Sequence, residues 1–315
     1  MLVHATEVVA TLYVMKDRGH LLTEQPHPLS GNLDALALDD AFDLMNGEDH
    51  RIPEAVAAAK PQIIAAIELI ADAFQAGGRL IYVGTGTSGR LGVLDAAECP
   101  PTFLTAPEMI LGVIAGGDAA LKRSAESLED DPERGAAAVD ECGVGANDVV
   151  FGITAGGTTP YVHGALRRAR ERGAKTVFLA CVPPEQVADE ADVSIRVLTG
   201  PEVLSGSTRL KAGLATKMVL NTVSTLALAR LGKVFGNLMV DVNARGCAKL
   251  TDRAIRTAMQ ATDLSREQAH KLLEQADWHV KVAIVMHHGN VNRAEAQRRL
   301  DACGGLVRQA LQQPE

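Results

Sequence analysis

Aromatic residues are scarce: Phe, Trp and Tyr make up 3% of the 315 residues, with a single Trp. The core must therefore be built from Ala, Val, Leu and Ile, the material of buried parallel strands and of the helices that cover them. Cysteine is thin and scattered. Cys99, Cys142, Cys181, Cys247 and Cys303 form no CxxC pair. An odd, dispersed set excludes a disulfide framework and a cysteine zinc site, and predicts reduced thiols in a cytoplasmic protein. The nine histidines show no ligand spacing, and the adjacent His287 and His288 read as surface residues. No metal site is expected.

Positive charge is in deficit. Lys and Arg number 31 against 39 Asp and Glu, a formal net charge of -8. Such a field repels polyanions, which argues against nucleic acid and anionic membranes as partners. A small anion is still admissible, because backbone dipoles act locally. There is no run of about 18 uncharged apolar residues, so no membrane span is expected. The first twenty residues carry Glu7, Lys16, Asp17 and Arg18. They lack the basic start and clean apolar stretch of a signal peptide.

What is present has a clear order. Residues 1–50 read as an N-terminal arm, polar and turn-rich from 21 onward. Ile52 to Ala76 has helical spacing and is closed by Gly77 and Gly78. Short apolar runs follow at Arg79–Val83, Met109–Ala115, Val149–Thr154, Thr176–Val182 and Val193–Val197. Helical patterns separate them at Asp118–Leu128, Pro160–Arg172 and Arg209–Leu231. This alternation predicts an α/β fold, a doubly wound parallel sheet with helices on both faces, over residues 51–244. Residues 245–315 read as a small C-terminal helical subdomain.

The chemistry concentrates at strand ends. Gly84 to Gly92 reads GTGTSGRLG, directly after a strand and at the start of a helix. Its glycines let backbone N–H groups approach an anion, and Thr85, Gly86, Thr87 and Ser88 are candidate ligands of a phosphate. Gly84, Gly86 and Gly89 also satisfy the dinucleotide pattern. That reading needs an acid at the end of the next strand, where Ala115, Gly116 and Gly117 stand instead, so no cofactor is expected. A second loop of the same form carries Gly156, Gly157, Thr158 and Thr159 before Pro160, a favoured first helical residue. A third, LSGSTRLKAG at 204–213, offers Ser205, Ser207 and Lys211, with Arg209 beside them. Cations at a helix start oppose the dipole, which favours a functional role for them. Glu98 lies where Pro100 and Pro101 are expected to stop a helix. Glu126, Glu129, Asp130 and Asp131 form an acidic run in which composition singles out none.

The stretches YVGTGTSGRLGVLDAAECPPTF, TGPEVLSGSTRLKAG and GKVFGNLMVDV closely resemble N-acetylmuramic acid 6-phosphate etherases, from about Thr23 to the C-terminus. The same motifs are more distantly similar to the glucokinase regulatory protein. The resemblance implies the SIS (sugar isomerase) fold, a sugar-phosphate substrate, a homodimer with its site near the subunit boundary, and elimination of D-lactate. It also implies acid/base roles for Glu98 and Glu129. Two other functions share the fold: a sensor that binds without turnover, and an aldose–ketose isomerase. There are departures from the family. Gly156-Gly157-Thr158-Thr159-Pro160 replaces a Ser-Gly-Arg-Thr-Pro loop, Leu214 and Thr216 stand inside the KAGTAQK segment, and His27 falls near an asparagine position.

Overall fold

The structure, a computed structural model, describes residues 17–123 and 128–312. Glu126 and most of the N-terminal stretch read against a signal peptide lie outside the described residues.

Five strands form the central sheet: β1 Leu80–Gly84, β2 Ile110–Ile114, β3 Val149–Ile153, β4 Lys175–Ala180 and β5 Val193–Arg196. Every pairing is parallel, in the order β2-β1-β3-β4-β5. All residues of β1 and β3 are buried, as near-continuous apolar runs in the middle of a parallel sheet should be. Successive side chains point to opposite faces. Leu80 and Tyr82 therefore enter one core, with α3 (Lys60–Gln75) and α8 (Lys211–Arg230), while Ile81 and Val83 enter another with α7 (Pro160–Glu171). The chain leaves β1 toward β2 on one side and returns to β3 on the other. Between β1 and β3 lies the switch point, where ligands of such sheets bind beyond the carboxyl ends of the strands.

At the opposite, amino ends a clamp joins the same two strands. Asp148 accepts hydrogen bonds from Arg79 N at 2.8 Å, from its Nη2 at 2.7 Å and from Gly145 N at 3.0 Å. Burial pushes the Asp148 carboxyl up, but the Arg79 and backbone donors outweigh it and hold its pKa below the usual value.

The local elements depart from expectation in several places. The helix expected from Ile52 to Ala76 is two, α2 (Ile52–Ala58) and α3, broken at Ala59. Pro61 stands in the first turn of α3 and has no N–H to continue a helix from before it. Pro100 and Pro101 do not stop their helix: α4 runs Gly86–Phe103 and contains both. They sit in its last turns, where few bonds are forfeited, and Leu104 closes it in the left-handed conformation at φ 51°. Of the helix expected over Asp118–Leu128, only α5 (Ala119–Lys122) is helical among the described residues. α6 (Pro132–Glu141) was not foreseen; the Asp131 carboxylate caps it, accepting from Glu133 N and Arg134 N. In the arm, α1 (Leu38–Asp49) is twelve residues long.

Beyond a two-stranded hairpin, β6 (Val234–Phe235) and β7 (Leu238–Met239), five helices α9 to α13 occupy Ala248–Ala310. They enclose their own core around Leu273, Ile284 and Leu300. By length and composition α8 could cross a membrane, with a mean hydropathy of 1.2. Here Val219, Leu220, Val223 and Leu228 bury that apolar surface against the sheet.

Candidate active site

The loops after β1 and β3 meet at the switch point and wall a cavity of about 240 Å³. Thr85, Gly86, Thr87 and Ser88 form one wall; Thr154, Ala155, Gly156, Thr158 and Thr159 form the facing one. Thr208, Ala212, Gly213 and Thr216 close a third side, and Arg18, Leu21 and Glu24 of the arm a fourth. Three helices therefore begin at this cavity. α4 starts at Gly86, α7 at Pro160 just after Thr159, and α8 one residue before Ala212. α4 offers the N–H groups of its first turn and the positive end of its dipole, whereas the first N–H groups of α7 and α8 are taken up by Glu129 O and by the Glu202 carboxylate. A wall of hydroxyls over the start of α4 suits a phosphate, which accepts many hydrogen bonds.

The loops are shaped by close backbone approach. A Cβ on Gly84 would stand 2.7 Å from Gly89 N, and one on Gly89 would stand 2.6 Å from Ile114 Cγ1 and 2.7 Å from Gly84 O. The turn can only be this tight with glycine at both places. Gly89→Ala is expected to cost about 1–3 kcal/mol of stability and to raise KM for a phosphorylated substrate. Urea unfolding and steady-state kinetics check this; wild-type values for both would show that the turn tolerates a Cβ. In the second loop Gly157 adopts φ +77°, and its carbonyl contacts His163 Nε2 at 2.7 Å. Thr154 Oγ1 and Thr159 Oγ1 lie 2.7 Å apart across the loop.

Two carboxylates line the cavity, Glu24 from the arm and Glu129 from the segment before α6. Glu129 accepts a hydrogen bond from Thr85 Oγ1 at 3.2 Å. Its backbone carbonyl accepts from Tyr161 N at 3.0 Å, so this segment is pinned to the start of α7. Behind it α6 and α7 cross at contact distance: a Cβ on Gly164 would lie 1.9 Å from Pro132 O, and one on Gly135 1.9 Å from Tyr161 O. The geometry thus separates Glu129 from its acidic neighbours, which composition could not do. Asp131 is a helix cap and Asp130 is exposed beside Arg18.

Other residues singled out in the sequence are elsewhere. Glu98 is exposed on α4 and does not line the cavity. It continues the stripe of Thr87, Leu91 and Leu94, of which Thr87 and Leu91 are wall residues. At 1.5 Å per residue it lies about 10 Å beyond Leu91 along the same face. Ser205, Ser207 and Gly157 are outside the lining. Lys211 turns inward: it is 2% exposed, and its Nζ donates to Glu48 Oε2 at 2.6 Å. Glu48 also contacts His27 Nε2 at 3.1 Å and Arg51 at 3.2 Å. Glu202, fully buried, accepts from the backbone N–H groups of Lys211 and Ala212 at 2.9 and 3.0 Å. Burial pushes the Glu202 carboxyl up in spite of those donors. Burial likewise raises Glu48, but hydrogen bonds from Lys211 and His27 prevail and bring it below its ordinary value. This buried cluster holds the start of α8 and the arm in place behind the cavity wall.

Arg18, Glu24, Thr208 and Thr216 were missed as site residues. Thr208 lies in the third stretch already recognised as polar, and Thr216 is one of the departures from the family pattern. Nothing local marks Arg18 or Glu24. Among the described residues no group of three His, Cys, Asp or Glu side chains is placed to hold a metal.

Residues 62–170 match the N-terminal SIS domain of glucokinase regulatory protein, and residues 138–227 match the SIS domain. Over 298 residues the chain is 55% identical to the N-acetylmuramic acid 6-phosphate etherase of Synechocystis sp., covering 95% of this chain and 97% of that protein. It is 57% identical over 297 residues to the protein of the same name from Nostoc sp., covering 94% and 96%. From Picosynechococcus sp., another so named is 55% identical over 296 residues, covering 94% and 98%. With more than half of the residues identical over 94–95% of its length, the chain belongs to the N-acetylmuramic acid 6-phosphate etherase family.

Proposed function

We propose that this chain cleaves the D-lactyl ether of N-acetylmuramate 6-phosphate, giving N-acetylglucosamine 6-phosphate and D-lactate in the recycling of cell-wall amino sugar. The observation that carries the reading is Glu129, a carboxylate hydrogen-bonded to Thr85 in a cavity rich in hydroxyls and helix starts. The sugar phosphate enters with its phosphate on Thr85 to Ser88 and Thr158. In the open-chain aldehyde the C2 proton is acidified. One carboxyl removes it while an acid protonates the lactyl oxygen leaving C3. Water then adds to C3 of the unsaturated aldehyde, and C2 is reprotonated. The net reaction consumes one water and needs no redox partner. Each positioned proton transfer contributes about 10²–10⁴-fold.

Glu129 is one of the two acid/base groups, and Glu98 is the other. Exposure of Glu98 in the single chain is consistent with a site completed in a homodimer. Leu94, on the same stripe, is 44% exposed, and Leu104 at the end of α4 is 48% exposed. Apolar side chains in that position favour burial by a second subunit. Five free cysteines accord with a reducing cytoplasmic location.

Incubation with N-acetylmuramate 6-phosphate is expected to release D-lactate and N-acetylglucosamine 6-phosphate in equal amounts. Turnover of fructose 6-phosphate instead would identify an isomerase. Tight binding of either sugar with no product would identify a sensor.

A further inference from the structure

Arg18 is the only cation among the described residues that line the cavity; Glu24 and Glu129 are the other charged ones. On the etherase reading, the substrate carries two anionic groups, a phosphate and the carboxylate of the ether arm. The phosphate has hydroxyls and the start of α4. The carboxylate has no matching charge anywhere else in the wall, and two wall carboxylates repel it. We propose that Arg18, on the N-terminal arm, binds the carboxylate of the ether side chain and so sets specificity for lactyl ethers. This inference rests on the etherase reading and deepens it.

Position supports the assignment. The arm is not free to drift at this point. Arg18 O accepts from Leu21 N at 2.9 Å, and Leu21 is 1% exposed in the core beneath the sheet. Gln186 locks the next turn, accepting from Leu22 N at 2.9 Å and donating to His20 O at 3.0 Å. The guanidinium itself is half exposed and lies 3.7 Å from Asp130, the neighbour of Glu129. An exposed pair at that distance is worth little and is exchanged readily. A substrate carboxylate offers the planar, two-oxygen partner that a guanidinium fits best. One carbon separates that carboxylate from the ether oxygen. Held beside residue 130, it brings the ether oxygen toward Glu129, where a proton is needed.

The experiment compares two ligands on the full chain. N-acetylmuramate 6-phosphate has both anionic groups; N-acetylglucosamine 6-phosphate has only the phosphate. Arg18→Gln is expected to raise KM for the first by about 10- to 100-fold, the worth of a charge-assisted hydrogen bond. The dissociation constant of the second, by calorimetry, is expected to stay at the wild-type value. A substrate analogue with a carboxamide in place of the carboxylate is expected to bind wild type and Arg18→Gln alike. Equal weakening of both natural ligands would place Arg18 on the phosphate, and no change in either would remove it from the site. Both outcomes overturn the proposal while leaving the etherase reading intact. Wild-type protein that releases no lactate would overturn the etherase reading itself, and the assignment of Arg18 with it.

Discussion

Glu129→Gln is expected to lower kcat for lactate release by about 10²–10⁴-fold, the contribution of one positioned proton transfer. The amide keeps the size of the side chain and an oxygen that can accept from Thr85 Oγ1, now 3.2 Å from the carboxylate. It loses the negative charge and the capacity to take and give a proton. Affinity for N-acetylglucosamine 6-phosphate is expected to hold within about tenfold, because the residues proposed to bind its phosphate are unchanged. A D-lactate assay with calorimetry on the product separates the two effects. A kcat at the wild-type level would remove Glu129 from the chemistry. The same substitution at Glu98 is expected to be as costly, although that carboxylate is outside the cavity of the single chain. Full activity of Glu98→Gln would leave Glu129 alone as the acid/base group.

The largest effect on stability is expected at Lys211. Lys211→Met keeps the length of the stem but leaves Glu48, 4% exposed, without its ammonium partner. Removing one member of a buried ion pair costs about 3–5 kcal/mol, and the lower end is expected because His27 and Arg51 still reach Glu48. Urea unfolding measures it. The folded-state pKa of Glu48 lies below its ordinary value. Its contribution is therefore present above the unfolded pKa of 4.5 and is lost as pH falls through the folded value. The gap between wild type and Lys211→Met should accordingly narrow on acidification. The double variant Lys211→Met with Glu48→Gln is expected to recover much of the loss, since the unpaired charge is gone. A single variant with wild-type stability and weakened binding of both sugar phosphates would return Lys211 to the substrate.

The sheet was legible because its strands are local: five short apolar runs, each closed by glycine or a turn, and helical spacing between them. Both glycine- and hydroxyl-rich loops were legible for the same reason, since strand, glycines and hydroxyls are contiguous in the chain. The misreadings are equally local. α6 carries a helix-start signature, Asp131 before Pro132 and Glu133, with three alanines following, but it directly follows the acidic run and reads as part of it. Pro100 and Pro101 were weighed as breakers, yet they fall where α4 is about to end. Lys211 was read from its place at a helix start, where a cation is unfavourable unless something offsets it; the offset is Glu48, 163 residues away in the chain.

By its own pattern, then, the chain determined the order of strands and helices, the two glycine loops and the resemblance in its motifs. Periodicity and glycine placement act through neighbouring residues, and they leave a trace in any short window. Tertiary structure alone decided that Glu129 rather than Asp130 faces Thr85, that Arg18 and Glu24 wall the cavity, and that Lys211 is buried. Those outcomes depend on where α6 crosses α7 at two glycines and where the arm seats Leu21 in the core. Packing between segments far apart in the chain has no signature in any one of them.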